Sequence, residues 1–280
     1  MKTKEHIIKQ DYSRLDAPEI LERLFYPCRK ERGAAPDGCV DMELEVAEGV
    51  CVGARLHLAE EKAGANILFF HGNGETVSDY DQVGVGFREL GISFLVVDYR
   101  GYGWSGGTPT ATNLVRDTYP IFDRLREFLA AAGRTGQLAV MGRSLGSVCA
   151  LELAAFRPAD FAGLIIESGF ATTMPVLASL GVNIAALGLS ENDGFGNLLK
   201  IKTYQKPVVI IHAMNDELIS VNQAGDLQAE CPAQARELLM VPGAGHNDIM
   251  AKTGRMYFEV IKKFVGRMGR PARRKKPGVR

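Results

Sequence analysis

The hydrophobic pattern changes character once along the chain. Positions 40–47 and 50–58 alternate apolar and polar residues on either side of Glu48-Gly49. Period-two alternation interrupted by a glycine turn predicts an antiparallel hairpin with one buried face. Beyond it, short apolar runs at 67–70, 94–97, 138–141, 164–166, 208–211 and 238–241 are separated by helix-length segments. Runs that are apolar at every position fit strands buried on both faces, as in a parallel sheet covered by helices. Helices are predicted near 77–90, 112–131, 145–156, 219–229 and 248–266. Alternation of strand and helix predicts one doubly wound, mostly parallel α/β domain over residues 39–266.

Two segments depart from this rhythm. Residues 1–38 are polar and mixed, and Pro18, Pro27, Gly33, Pro36 and Gly38 break any long element. They read as an N-terminal arm or short helix leading into the domain. About forty residues separate the runs at 164–166 and 208–211, whereas loops beyond about 12–15 residues are usually functional or carry structure of their own. The stretch 168–190 holds no charge and is rich in small apolar residues. It reads as part of a lid inserted at about 168–200, with Met174, Leu177, Leu180 and Ile184 as the expected pocket lining. Pro175, Asn183 and several glycines argue against a membrane span there.

Composition narrows the class. Of 280 residues, 46% are hydrophobic and 24% charged, as in ordinary globular chains. Lys+Arg and Asp+Glu number 33 each, so no overall charge favours nucleic acid. The balance is uneven, because residues 267–280 carry seven basic residues and no acidic one. That basic tail reads as a solvated end able to touch anionic surfaces. The five cysteines are scattered, with no CxxC pair, which predicts reduced thiols, a cytoplasmic location and no metal site. The N-terminus lacks the apolar core of a signal peptide.

The chemistry gathers where predicted strands end. Gly142-Arg143-Ser144-Leu145-Gly146 follows one strand and opens a helix, the context of a G-x-S-x-G nucleophile elbow. A sharp turn there lifts the Ser144 hydroxyl out of the sheet and offers the Leu145 amide to a developing oxyanion. A serine nucleophile needs a base. Of the five histidines, His6 lies in the arm, His57 in the hairpin, and His71 and His212 at strand ends where backbone or structural roles fit better. His246 sits in a glycine-rich loop after the last strand, on the sheet edge where sites of this architecture form. Asp216 is the preferred carboxylate to orient it and Glu167, ending the strand before the insertion, is the rival. Asp248 reads as a helix cap. The loop His71-Gly72-Asn73-Gly74-Glu75 would supply the second oxyanion donor through the Asn73 amide. It lacks the Lys-Ser/Thr of a phosphate-binding loop.

These motifs together carry a resemblance. HGNGE at 71–75, DYRGYGWSGG at 98–107, GRSLGS at 142–147, HAMND at 212–216 and GAGHND at 243–248 are similar to those of α/β-hydrolase-fold serine hydrolases. The wording of the second and third resembles the small-lid, ABHD-type branch that includes acyl-protein thioesterases. The resemblance implies an eight-stranded, mostly parallel sheet and a triad of Ser144, Asp216 and His246. It also implies an oxyanion hole from the Asn73 and Leu145 backbones and no cofactor. Two features depart from it: there is no N-terminal cysteine cluster, and Ala213 stands where many relatives have glycine. The expected activity is hydrolysis of a small acyl ester or thioester through an acyl-enzyme. The alternatives are amide or peptide cleavage on the same fold, or a non-catalytic ligand-binding protein that kept it.

Overall fold

The computed structural model describes residues 10–268. Eight strands form one sheet in the order β1-β2-β4-β3-β5-β6-β7-β8. β1 (Cys39–Ala47) and β2 (Val50–His57) pair antiparallel as the hairpin, with Gly49 at φ +69° in the turn. β2 then pairs antiparallel with β4 (Ser93–Val97). From there the pairings are parallel through β3 (Asn66–Phe70), β5 (Leu138–Arg143), β6 (Gly163–Glu167), β7 (Val208–Ala213) and β8 (Arg236–Val241).

Burial on both faces explains the unbroken apolar runs. Successive strand side chains point to opposite faces. Leu68, Phe70, Val140, Ile166 and Ile210 join one core, Ile67, Phe69, Met141, Ile165 and Val209 the other. The N-terminal helix α1 (Pro18–Leu24) precedes the sheet. The second core is covered by α2 (Asp81–Glu89) and, at the far end of the chain, by α9 (Arg255–Val265). The first is covered by α3 (Ala111–Ala131), α4 (Ser147–Phe156) and α7 (Val221–Glu230). Between β6 and β7 the insertion holds two short helices, α5 (Thr173–Ser179) and α6 (Asn197–Ile201). The predicted helix at 248–266 is divided at Gly254, φ +51°, into α8 (Ile249–Thr253) and α9. The basic tail lies outside the described residues from 269 onward.

From Tyr12 to Phe25 the N-terminal segment packs into the domain and includes a short helix. Tyr12, Leu15, Ile20, Leu24 and Phe25 are buried in the first core. Polar contacts fix the segment as well. Arg14 donates to Asp193 and to the Leu187 and Gly188 carbonyls at 2.8, 2.9 and 3.0 Å, and Asp16 accepts from the Thr112 amide at the start of α3 at 3.1 Å. A few large apolar side chains outweigh the mixed composition around them.

Candidate active site

β5 ends on a forced turn. Ser144 has φ +50°, a region that costs a non-glycine residue energy and persists where its surroundings impose it. The flanking glycines make room: a Cβ on Gly142 would strike the Gly146 carbonyl, and one on Gly146 would strike the Phe70 carbonyl. The chain then enters α4, and the Ser144 side chain is left at the C-terminal edge of the sheet.

Two loops on the same edge bring partners to it. His246 Nε2 lies 3.0 Å from Ser144 Oγ, and His246 Nδ1 lies 2.8 Å from Asp216 Oδ2. A hydrogen bond from Nδ1–H to a carboxylate leaves Nε2 as the acceptor facing the serine. Asp216 is held by the Leu218 and Ile219 amides, which donate to Oδ1 at 3.0 and 2.8 Å. Burial works to raise its carboxyl, but the hydrogen bonds from His246 and Ile219 outweigh it and keep it below the ordinary aspartate range. His246 is 4% exposed, so its contact with Asp216 is shielded from solvent.

The remaining candidates are occupied elsewhere. Glu167 accepts from Tyr257 Oη at 2.5 Å and lies 3.2 Å from Arg143 Nε. Burial pushes its carboxyl up, against the pull of Arg143. His71 pairs with Asp98 at 3.1 Å and His57 with Cys39 Sγ at 3.0 Å, while His212 Nε2 pairs with the Ile219 carbonyl at 2.8 Å and lies 3.4 Å from Asp216 Oδ2, behind the acid rather than beside Ser144. Asp248 accepts from the Gly245 amide at 2.7 Å and makes no cap bond to α8, so it braces the histidine loop instead.

Residues 61–189 match the family described as serine aminopeptidase, S33. An uncharacterised protein of Mycobacterium tuberculosis is 30% identical over 72% of this chain and 70% of its own length. The α/β hydrolase domain-containing protein 17C of Xenopus tropicalis is 31% identical over 78% of this chain and 66% of its own. The chain belongs to the ABHD-type α/β-hydrolases. It spans 57% of the length of another relative, the α/β hydrolase domain-containing protein aho-3 of Caenorhabditis elegans, at 29% identity over 71% of this chain. Among solved structures, the Pyrococcus furiosus esterase Pf2001 superposes with TM-score 0.70 at 15% identity, covering 86% of this chain and 98% of that one. A soluble variant of the Saccharomyces cerevisiae monoglyceride lipase gives 0.66 at 18% identity, covering 87% and 98%. At that identity the likeness is one of fold.

Above Ser144 this α/β-hydrolase has a cavity of about 170 Å³. Its polar floor is Asn73, Arg143, Ser144, His246 and Asn247, and its walls include Leu24, Leu145, Phe170, Val176, Ser179, Leu180, Leu218 and Ile219. Of the four pocket residues expected from the sequence, only Leu180 lines it. Met174 and Leu177 are buried in the core, and Ile184 packs against that core. The reason is the phase of α5. Its residues 173, 174 and 177 turn into the core, while 176 and 179 lie on the adjacent side toward the cavity, and Leu180 at the helix end sits between the two.

The Asn73 side chain is fixed, because its Oδ1 accepts from the Tyr26 amide at 2.7 Å and from Tyr102 Oη at 2.6 Å. This ties the HGNGE turn to the N-terminal segment and to the loop that carries Tyr102. Several lining residues escape the sequence reading, among them Leu24, Arg143, Phe170, Leu218, Ile219 and Asn247. Leu24 reaches the pocket from a segment with no motif. Arg143 is the variable position of the elbow, where the motif carries no expectation. Two acids that end up beside it, Glu75 and Glu167, are the only hint that its charge is buried.

Proposed function

We propose that this hydrolase cleaves carboxylic esters or thioesters through an acyl-enzyme on Ser144. One observation carries the reading: the unbroken hydrogen-bond chain from Ser144 Oγ to His246 to Asp216 at the floor of an apolar cavity. In this mechanism Ser144 attacks the acyl carbonyl as its proton passes to His246 Nε2, and Asp216 stabilises the imidazolium. The oxyanion is taken by the Asn73 and Leu145 amides, each donor in such holes being worth about 2.7–4 kcal/mol. His246 then protonates the leaving alcohol or thiol, and the same base activates the water that frees the acid. No step calls for a cofactor.

The size of the cavity favours short acyl groups. An apolar cavity of about 150 Å³ holds a molecule the size of benzene, and this one is about 170 Å³. The family description raises aminopeptidase activity as a second reading. A free peptide N-terminus is a cation, and the lining includes no carboxylate to receive it, which favours the ester reading. Free cysteines throughout fit a cytoplasmic setting. Among the described residues no helix is long and apolar enough to cross a membrane.

The test is direct. The wild-type chain should label with a fluorophosphonate and hydrolyse p-nitrophenyl esters or acyl-CoA in preference to aminoacyl anilides. Ser144→Ala should lose both labelling and hydrolysis with its thermal unfolding unchanged, since Ser144 sits at the cavity floor and only a hydroxyl is removed. Labelling that survives in Ser144→Ala would remove Ser144 from the nucleophile's role.

A further inference from the structure

The Arg143 guanidinium lies where the parts of the site converge. Its Nη2 donates to the His246 carbonyl at 3.0 Å and to Asn247 Oδ1 at 2.9 Å. Its Nη1 pairs with Glu75, and its Nε lies 3.2 Å from Glu167 Oε1. The contacts extend one step further. Glu75 Oε2 accepts from the Gly72 amide at 2.6 Å and from Tyr80 Oη at 2.7 Å. One planar cation thus joins the elbow to the loop that carries His246, the turn that carries Asn73, and the end of β6.

Stability is a poor explanation for this cluster. Arg143 is 7% exposed and Glu167 5%, and taking such charges out of water costs about as much as their attraction returns. Geometry is a better one. Asp216 fixes the His246 ring, and Glu217 and Asp248 accept from the His246 and Gly245 amides at 3.1 and 2.7 Å, but these contacts do not tie the glycine-containing loop to the elbow. Arg143 grips that backbone at the His246 carbonyl, from the residue directly before Ser144. The rigid guanidinium fork can meet several acceptors at fixed angles, which a lysine ammonium cannot.

We propose that Arg143 is a positioning residue, which keeps the His246 loop and the Gly72–Glu75 turn in register with Ser144. Its kinetic consequence rests on the hydrolase reading above; its structural consequence rests on the contacts alone. Arg143→Lys in the full chain separates positioning from charge. It keeps a cation between Glu75 and Glu167 but loses the fork. On p-nitrophenyl acetate, kcat should fall about 100-fold, the scale of a displacement of about 1 Å at a reacting group, with KM nearly unchanged. Amide hydrogen exchange should quicken in peptides covering 71–76 and 242–250 and stay at wild-type rates elsewhere. In Arg143→Ala, added guanidinium ion should restore part of kcat.

Wild-type kcat and exchange in Arg143→Lys would overturn the proposal. So would a loss of activity that follows a general loss of protection and answers to no added guanidinium. If the wild-type chain neither hydrolyses esters nor labels with a fluorophosphonate, the ester reading fails and the exchange pattern alone decides the proposal. If the Arg143 variants do not fold, Asn247→Ala removes one acceptor and leaves the buried charges paired. It should quicken exchange at 242–250 and lower kcat to a smaller degree, and no change in either would overturn the proposal.

Discussion

At the scale of single residues, the two carboxylates near the site differ in what surrounds them, and that difference sets their roles. Asp216 faces the His246 ring at 2.8 Å, whereas Glu167 is spent on Arg143 and Tyr257. Asp216→Asn should therefore lower kcat by about 10⁴, the cost of the wrong imidazole tautomer in a serine protease. Glu167→Gln should cost far less. Steady-state kinetics on one ester ranks the two, and the reverse order would move the acid to β6. The depressed Asp216 carboxyl also makes a stability prediction. A carboxylate held below its unfolded value of about 3.9 contributes stability that is full above that pH and is lost as pH falls through the folded value. The stability advantage of wild type over Asp216→Asn should shrink as pH falls below about 4, as measured by urea unfolding on either side of that pH. Ser144, His246 and Asp216 are legible in the sequence because glycines and strand ends mark where backbone must turn. Arg143 is not, because its role depends on which acids the fold brings beside it.

At the scale of elements, the sheet is legible because burial on both faces writes itself as continuous apolar runs. The pocket wall is not. A stretch such as 168–190, uncharged throughout and mixing small apolar residues with Ser, Thr and Asn, contains no charged marker to say which face of a helix looks inward. In α5 the outcome is a division of labour: Leu177 is fully buried, while Val176 and Leu180 face the cavity. Leu177→Ala should lower unfolding free energy by about 2–5 kcal/mol and leave the acyl-chain profile intact. Leu180→Ala should do the opposite, costing little stability and moving the best substrate to a longer chain. Each buried methylene is worth about 0.8 kcal/mol, or roughly fourfold in kcat/KM. The wild-type profile from acetate to palmitate should climb at that rate and break early, when the cavity is full. A flat profile, or a climb continuing to palmitate, would show that α5 does not close the acyl site.

At the scale of the whole molecule, residues 12–25, within the segment that reads as an arm or short helix, contribute to the domain's core. The segment's sequence conceals this, because Leu15, Ile20 and Leu24 are few and spread over a short 3₁₀ turn and the seven residues of α1. No periodic pattern can declare itself over so short a length. The fold uses these residues to tie the insertion down. Tyr12 packs on Phe195, with ring centroids 5.8 Å apart, Arg14 bonds to the turns at 187–193, and Leu24 forms part of the cavity wall. The consequence is measurable with one substitution. Leu15 is fully buried and lies away from the cavity, so Leu15→Ala should cost about 2–5 kcal/mol. In a protein of this size each kcal/mol lowers Tm by about 2–4 °C, which calorimetry resolves easily. Leu24→Ala should lower Tm as well, but it should also widen the cavity and shift the ester profile toward longer chains. If Leu15→Ala leaves Tm at the wild-type value, the N-terminal segment does not contribute to the core, and Leu24 would then have no fixed place in the pocket wall.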